Sequence, residues 1–323
     1  MKKTLKNVLV AGRDGMVGSA LVRLLSKDES INLIAIGRSD LDLLNQSEVA
    51  AFFESNFFSE VYMAAAKVGG INANRTQPAD FLYENMVVQS NVIYSAFKTK
   101  VDKTLFLGSS CIYPKYAAQP IKETMLMTGG LESTNEAYAL AKISGLDLCR
   151  HFNEQYQQDF RAVMPTNLYG SNDNFNLETS HVLPALLRRI HDAKMTSQET
   201  VSIWGSGTPR REFLNIEDMA SACLHVMGLT KEEYTNAVLP QYQFLNVGTG
   251  SDVSIKSLAE MIAEVVGYKG QFYFDTSMPD GTPRKLLDIS RISNTGWEPK
   301  IALREGIEAT YQWFLENEED IRK

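Results

Sequence analysis

The side chains of Ser109, Tyr138 and Lys142 are of the types that could together protonate a carbonyl oxygen as it is reduced. Tyr138 and Lys142 are four residues apart, so on a helix they share one face. A free tyrosine ionises at about pH 10, and an adjacent ammonium is expected to lower that pKa. Ser109 follows a predicted strand and could hydrogen-bond the same oxygen. Because a Tyr-x-x-x-Lys pair alone is common on solvated helix faces, the prediction of a ketone reductase also depends on Ser109 and on a glycine-rich loop.

That loop contains Gly12, Gly15 and Gly18 in a GxxGxxG spacing, between the first predicted strand and the first predicted helix. Glycine permits the tight turn, lets the backbone approach a pyrophosphate, and lets the helix pack on the strand. The helix N-terminus then faces the phosphate charge. Three glycines could also serve a purely structural turn, but the strand before them and the helix and strand after them favour dinucleotide binding.

The end of the second predicted strand bears on the choice of cofactor. An NAD-selective site usually has an acidic residue there, whereas this strand is followed by Arg38. A guanidinium is suited to a 2′-phosphate, and Arg13 in the glycine loop is a possible second cation. Arg38 could instead be an ordinary solvated surface charge. We expect NADPH as the preferred cofactor.

Short β-branched runs alternate with helical periods through the first half, which predicts a Rossmann-type α/β fold with a doubly wound parallel sheet. A smaller α/β substrate-binding domain should follow, so we expect domains at 1–170 and 171–323, with segments near 215–250 returning to the sheet. Ser133 and Glu136 have capping-box spacing at the start of the helix that carries Tyr138. The strands are predicted at 7–11, 32–36, 61–65, 104–107, 162–164 and 243–247, and the helices at 17–26, 47–56, 78–97, from Ser133 through Tyr138, 182–193 and 217–227.

Composition excludes several classes of protein. A chain of 323 residues with 44% hydrophobic and 22% charged residues is expected to be globular. A net charge of −7 gives no footprint for nucleic acid, and no apolar run is long enough for a membrane span. The N-terminus enters a strand directly, and three cysteines without CxxC spacing fit reduced thiols. We therefore expect a cytoplasmic protein with no metal site.

Ten segments carry a resemblance to a known family. From end to end the chain resembles the extended short-chain dehydrogenase/reductases, and more narrowly the GDP-L-fucose synthases. The SSCIYP and SHV segments are more specific than the fold signature; in one departure, the chain reads GRDGMVG where that family commonly reads GHRGMVG. The segments are GMVGSA (15–20), YMAAAKVGGINAN (62–74), FLGSSCIYPK (106–115), NEAYALAKISG (135–145), VMPTNLYG (163–170), NDNFN (172–176), SHVLPALLRR (180–189), WGSGTPRREFL (204–214), NVGTG (246–250) and PDGTPRKLLD (279–288).

The resemblance implies that one site epimerises C3 and C5 of GDP-4-keto-6-deoxy-D-mannose and reduces its C4 ketone with NADPH. Cys111 and His181 are similar to the family's acid–base pair; taken alone, the first would be interpreted as a buried inert thiol and the second as a core or helix-start histidine. A homodimer through two long helices is expected. Implied substrate contacts are Arg189, Trp204, Arg211, Asp280 and Lys285. Implied cofactor contacts are Gly12, Arg13, Asp14, Gly15, Met16, Val17, Gly18, Arg38, Leu107, Gly108, Ser109, Ser110, Lys142, Pro165, Thr166, Asn167, Leu168 and His181.

Three alternatives stay open at the level of sequence. A sugar-nucleotide 4,6-dehydratase or 4-epimerase shares the glycine loop and the Tyr-x-x-x-Lys pair, but 109–113 holds no carboxylate for a dehydration. GDP-L-colitose synthase, an epimerase/reductase of a 3,6-dideoxy sugar, has motifs that cannot be separated from these. A non-enzymatic NADP sensor would be expected to lose Tyr138 or Lys142, and both are present.

Overall fold

The computed structural model describes residues 5–278, 280–319 and 321, excepting the side chains of 71 and 72. Pro279, in the PDGTPRKLLD segment, lies outside the described residues. In chain order the first elements are β1 (Lys6–Ala11), α1 (Met16–Leu25), β2 (Ile31–Ile36), α2 (Gln46–Asn56), β3 (Glu60–Met63), α3 (Ile71–Thr76), α4 (Pro78–Lys98), β4 (Lys103–Leu107), α5 (Glu136–Tyr156) and β5 (Phe160–Pro165). The later elements are β6 (Asn167–Tyr169), α6 (Val182–Met195), β7 (Thr200–Trp204), β8 (Arg210–Asn215), α7 (Ile216–Gly228), α8 (Lys231–Ala237), β9 (Leu245–Val247), β10 (Asp252–Ser254), α9 (Ile255–Val266), β11 (Gln271–Asp275), β12 (Arg284–Lys285), α10 (Ser290–Ser293) and α11 (Leu303–Glu316).

The main sheet has six parallel strands in the order β2-β1-β3-β4-β5-β9. The strand order reverses between β1 and β3, and an open α/β sheet binds ligands in the crevice beyond the carboxyl ends at such a point. The predicted fold class is therefore confirmed.

Alternation along β1 explains how both faces of this sheet are covered. Leu9 and Ala11 pack into one apolar core with residues of α2, α4 and α5. Val8 and Val10 pack into a second core with residues of α1 and α7. Successive side chains on a strand point to opposite faces, so one hydrophobic run supplies both layers.

A third core lies in the second half of the chain, where α6 and α9 pack against short strands. Its central strand, β8, pairs with β10 antiparallel and with β6 and β12 parallel, while β7 pairs with β11. No helix in the described part of the chain is long and apolar enough to cross a bilayer.

The start of α5 differs from the capping-box prediction. The helix begins at Glu136 with Asn135 as N-cap, and no side chain caps it. Glu136 is thus the first helical residue instead of the third, so it cannot reach back to Ser133 in a capping box. Tyr138 nevertheless lies in the first turn, as expected.

Candidate active site

One cavity of about 2380 Å³ lies beyond the carboxyl ends of the main sheet. A drug-sized ligand occupies a pocket of roughly 300–1,000 Å³, so this cavity has room for a dinucleotide and a second ligand together. Of the predicted site residues, all line this cavity except Arg13 and Gly18. The fold thus brings together side chains from positions 12 to 285.

The glycine loop has the close packing that dinucleotide binding requires. Gly12 has a φ of +98°, and its amide donates to the Ile36 carbonyl at 2.8 Å. A Cβ on Gly12 would lie 2.7 Å from the Ala65 amide nitrogen, and one on Gly18 would overlap the Gly12 carbonyl. A Cβ on Gly15, at the N-terminus of α1, would instead meet the Gly12 carbonyl oxygen at an ordinary contact distance of 3.4 Å. The residues present therefore fit a pyrophosphate at this helix end.

Ser109, Tyr138 and Lys142 converge at the carboxyl end of β4. Ser109 caps a 3-10 turn at Ser110–Ile112, where its hydroxyl oxygen accepts from the Cys111 amide at 3.4 Å, and this hydroxyl acts to lower the pKa of both the Tyr138 phenol and the Cys111 thiol. The Lys142 ammonium nitrogen lies 5.7 Å from the centre of the Tyr138 ring and donates to the Leu107 carbonyl at 2.8 Å. Such a group can hold and protonate one carbonyl oxygen.

The ionisation of Tyr138 differs from the expectation based on sequence. Burial raises the pKa of the phenol well above its usual value, and the neighbouring Cys111 thiol adds to the rise. The lowering by Lys142 that the sequence predicted is not found, and desolvation of the phenolate is the largest cause of the shift. Tyr138 is therefore a neutral phenol at pH 7, which suits a proton donor.

Cys111 and His181 are brought to one part of the cavity. Burial raises the pKa of the Cys111 thiol, although Lys285, Ser109 and Lys142 act in the opposite direction. Partial desolvation lowers the pKa of His181, which is still exposed within the open cavity, and the Lys285 charge lowers it further. Lys285 thus acts on both groups, and at neutral pH the resting pair is a thiol and an uncharged imidazole.

Basic residues form the far end of the cavity, where β8 and β12 pair. Neighbouring residues alternate along β8, so Arg211 lines the cavity while Arg210 bonds Asp252 at 2.9 Å. On β12, both Arg284 and Lys285 line the cavity, and Arg284 forms a second charge pair with Asp252.

The aromatic part of this end is Trp204, whose side chain is 60% exposed. The Arg189 guanidinium lies 5.7 Å from its ring centre. Asp280 accepts hydrogen bonds from the Ser206 amide at 2.8 Å and hydroxyl at 2.7 Å, so it fixes the turn that follows Trp204.

The sequence model of the NAD dependent epimerase/dehydratase family matches residues 8–239, a span that includes the glycine loop, Ser109, Tyr138 and Lys142. The chain belongs to this family.

Comparison with individual proteins shows which members of the family the chain resembles. The GDP-L-fucose synthase of Escherichia coli (strain K12) is 53% identical over 98% of this chain and 99% of its own length. The GDP-L-colitose synthase of Yersinia pseudotuberculosis is 38% identical over 95% of this chain and 97% of its own length. A solved structure of a Campylobacter jejuni GDP-mannoheptose C4 reductase with NADP bound has a TM-score of 0.88 and 36% identity, covering 98% of this chain and 99% of that one. The resemblance to the GDP-L-fucose synthases is confirmed.

Sequence reasoning missed the acidic residues around the predicted 2′-phosphate site. Asp40 pairs with Arg13 at 3.0 Å, and Glu84 on α4 lies 3.6 Å from Arg38. Glu84 also pairs with Lys67 at 2.6 Å. The segment YMAAAKVGGINAN, which carries Lys67, was the available signal for this part of the cavity. Among the described residues, no group of three or more His, Cys, Asp or Glu is arranged to hold a metal ion.

Proposed function

We propose that the protein converts GDP-4-keto-6-deoxy-D-mannose into GDP-L-fucose, by inverting C3 and C5 and reducing the C4 ketone at one site with NADPH. The observation that carries this proposal is the convergence, in one cavity, of a carbonyl-binding group with a thiol–imidazole pair. The identity to GDP-L-fucose synthases supports the choice of substrate.

Epimerisation uses the acidity that the C4 ketone gives to the protons at C3 and C5. A base must remove each proton from one face, and an acid must return one to the other face. Cys111 and His181 serve as this pair. The Ser109 hydroxyl and the Tyr138 phenol donate hydrogen bonds to the enolate oxygen, which stabilises its developing charge.

Reduction uses the same oxygen site. NADPH, when bound along the glycine loop, supplies the hydride for C4. Tyr138 donates its proton to the oxygen as it becomes an alkoxide, Ser109 holds that oxygen, and the Lys142 ammonium stabilises the phenolate left behind. Because both half-reactions place charge on one oxygen, a single set of donors serves both.

The GDP group is suited to the basic end of the cavity. Arg189, Arg211 and Lys285 are cations that can bind the diphosphate, arginine in a bidentate manner. Trp204 offers an exposed ring at the same end. Asp280 acts on the substrate by positioning the Trp204 turn.

The test is incubation of the purified protein with NADPH and GDP-4-keto-6-deoxy-D-mannose, followed by identification of the product sugar. We expect NADPH consumption and GDP-L-fucose. Parallel incubation with the 3,6-dideoxy 4-keto analogue tests the colitose alternative. Faster turnover of that analogue, or a dehydrated product, would contradict the proposal.

The pKa of Lys142 gives a pH prediction. Burial lowers the pKa of this ammonium to about 8. The charged form is present below that pH and is lost as pH rises through it, so reduction should fall on the alkaline side of about pH 8. In Lys142→Arg the guanidinium stays charged, so any remaining activity should lack this limb. The measurement is kcat/KM for NADPH from pH 6 to about 10; a wild-type rate that stays level up to the ordinary lysine pKa would contradict the prediction.

We also propose a homodimer that forms through α4 and α5. These two long helices pack on each other, and their outer surface exposes Tyr83, Met86, Tyr94 and Leu140. Covering apolar side chains of this kind is typical of a subunit interface. Sedimentation equilibrium should give twice the chain mass, and Leu140→Glu should shift it toward the monomer. An unchanged dimer in that variant would argue against this surface.

A cytoplasmic location completes the proposal. Cys111, Cys149 and Cys223 are free and buried in the described structure, which fits a reducing compartment.

A further inference from the structure

The glycine loop brings a carboxylate to the part of the cavity where the adenosine ribose of a dinucleotide is bound. The amides of Gly12 and Arg13 both donate to the Ile36 carbonyl, at 2.8 and 3.0 Å, which fastens the loop to the end of β2. The Asp14 side chain then lies against Gly37, because a Cβ added to Gly37 would overlap the Asp14 carboxylate oxygen. Asp14 therefore contacts the residue that precedes Arg38, although Asp14 and Arg38 are 24 positions apart in the chain.

Arg13 offsets this charge only in part, because its guanidinium is shared among Asp14, Asp40 and a backbone carbonyl. Its guanidinium donates to the Ala35 carbonyl at 3.0 Å and to Asp40 at 3.2 Å, and Arg13 does not line the cavity. The Arg13 Nε atom lies 3.5 Å from the Asp14 carboxylate. Arg13 thus bonds backbone and carboxylate groups outside the cavity wall.

Arg38, which follows Gly37, lines the cavity beside Asp14. Its side chain is 87% exposed, and its paired carboxylate, Glu84, is 3.6 Å away. Around the end of β2, the cations Arg13, Arg38 and Lys67 therefore face an equal number of carboxylates, those of Asp14, Asp40 and Glu84. A 2′-phosphate would enter a region without net positive charge.

The two kinds of dinucleotide site differ at this point. A carboxylate at the end of the second strand accepts hydrogen bonds from the ribose 2′-hydroxyl of NAD, whereas an arginine binds the 2′-phosphate of NADP. This chain has the arginine just after β2 and the carboxylate on the glycine loop, both lining one cavity. We propose that Asp14 sets the cofactor preference, so that the protein uses NADH as well as NADPH. Its carboxylate repels the 2′-phosphate of NADPH and accepts a hydrogen bond from the ribose 2′-hydroxyl of NADH. This inference rests on the proposed use of a nicotinamide cofactor.

The test measures nucleotide binding to the substrate-free protein, by nicotinamide fluorescence for NADPH and NADH and by competition with adenosine 2′,5′-bisphosphate. In Asp14→Asn we expect the ratio of NADPH to NADH affinity to rise about ten-fold, the effect of one moderately screened charge pair. The gain should shrink at high salt, as a purely structural effect would not. Arg38→Ala should move the ratio in the opposite direction.

Asp102→Asn is the matched control, because it removes the same charge just before the amino end of β4, whereas the cavity lies beyond the carboxyl ends of the strands. A change in the affinity ratio of about three-fold or more in Asp14→Asn, absent from the control, supports the inference. A smaller change, or an equal one in both variants, would overturn it. If neither nucleotide binds the wild-type protein, the cofactor assignment itself fails. If both bind and the ratio of NADPH to NADH affinity is unchanged in Asp14→Asn, only this inference fails.

Discussion

Tyr138→Phe is expected to lower the rate of C4 reduction by about 10² to 10⁴, which is the usual contribution of a positioned proton donor. The phenol is neutral because burial raises its pKa, so it can donate a proton to the alkoxide that forms at C4. Phenylalanine keeps the ring, which packs edge-on against Phe81 at 6.2 Å, and removes only the hydroxyl. Exchange at C3 and C5 should survive in part, because Ser109 still donates to the enolate oxygen.

The measurement separates the two half-reactions. NADPH oxidation reports reduction, and deuterium uptake from heavy water reports the exchange at C3 and C5. Tyr234→Phe is the control, since it removes a buried hydroxyl that bonds the Ala162 amide at 2.9 Å, away from the cavity. Full reductase activity in Tyr138→Phe would remove Tyr138 from the mechanism, and equal losses in both variants would point to a folding defect.

Local periodicity explains why the sequence predicted the frame of the site well. The strand before Gly12, the four-residue spacing of Tyr138 and Lys142, and the helix beginning near His181 each depend on residues adjacent in the chain. Parallel topology then requires that the carboxyl ends of β1 and β4 lie at one edge. The cavity at that edge follows from these local signals.

Pairings between distant segments could not be predicted in the same way. Arg13 was expected to bind a phosphate, yet it bonds Asp40, and Arg38 lies near Glu84 from α4. Those contacts depend on how α4 and the β2 end pack, which no short window of sequence contains. Which of Arg210 and Arg211 lines the cavity likewise depends on how β8 pairs with β10, β6 and β12.

Burial is the other quantity that the sequence lacks. Residue types indicated a phenol whose pKa a neighbouring ammonium would lower, and the family resemblance gave Cys111 an acid–base role. In the folded protein, desolvation raises the pKa of both Tyr138 and Cys111, because each charged form would leave water for a low-dielectric site. Their identities were predictable from motifs, but their resting protonation states required the three-dimensional surroundings.

Cys111→Ser should separate epimerisation from reduction. Deuterium incorporation at C3 and C5 is expected to fall by about 10² or more, because a serine hydroxyl is a far weaker acid than a thiol and does not ionise near neutral pH. Ser109, Tyr138 and Lys142 remain, so the ketone can still be reduced. The product should then be a GDP-6-deoxyhexose that lacks one or both inversions.

The resting pair of thiol and imidazole explains why the loss should be severe. The thiol holds a proton that it can donate, and Lys285 favours the thiolate that results. His181, uncharged because partial desolvation and Lys285 lower its pKa, can accept a proton on the other side of the exchange. A serine hydroxyl would become an alkoxide if it returned a proton to the sugar. It would have to be an alkoxide already in order to remove one. His181→Gln should impair exchange for the complementary reason.

Cys149→Ser is the matched control, because it makes the same chemical change at a buried thiol in the core between α5 and the sheet. It should lower thermal stability while leaving the ratio of exchange to reduction unchanged. Mass spectrometry of the recovered sugar nucleotide gives the deuterium content, and NMR coupling constants give the configuration at C3 and C5. If Cys111→Ser exchanges both positions at the wild-type rate and still forms GDP-L-fucose, the thiol has only a packing role. His181 would then need a different partner for the opposite face of the sugar.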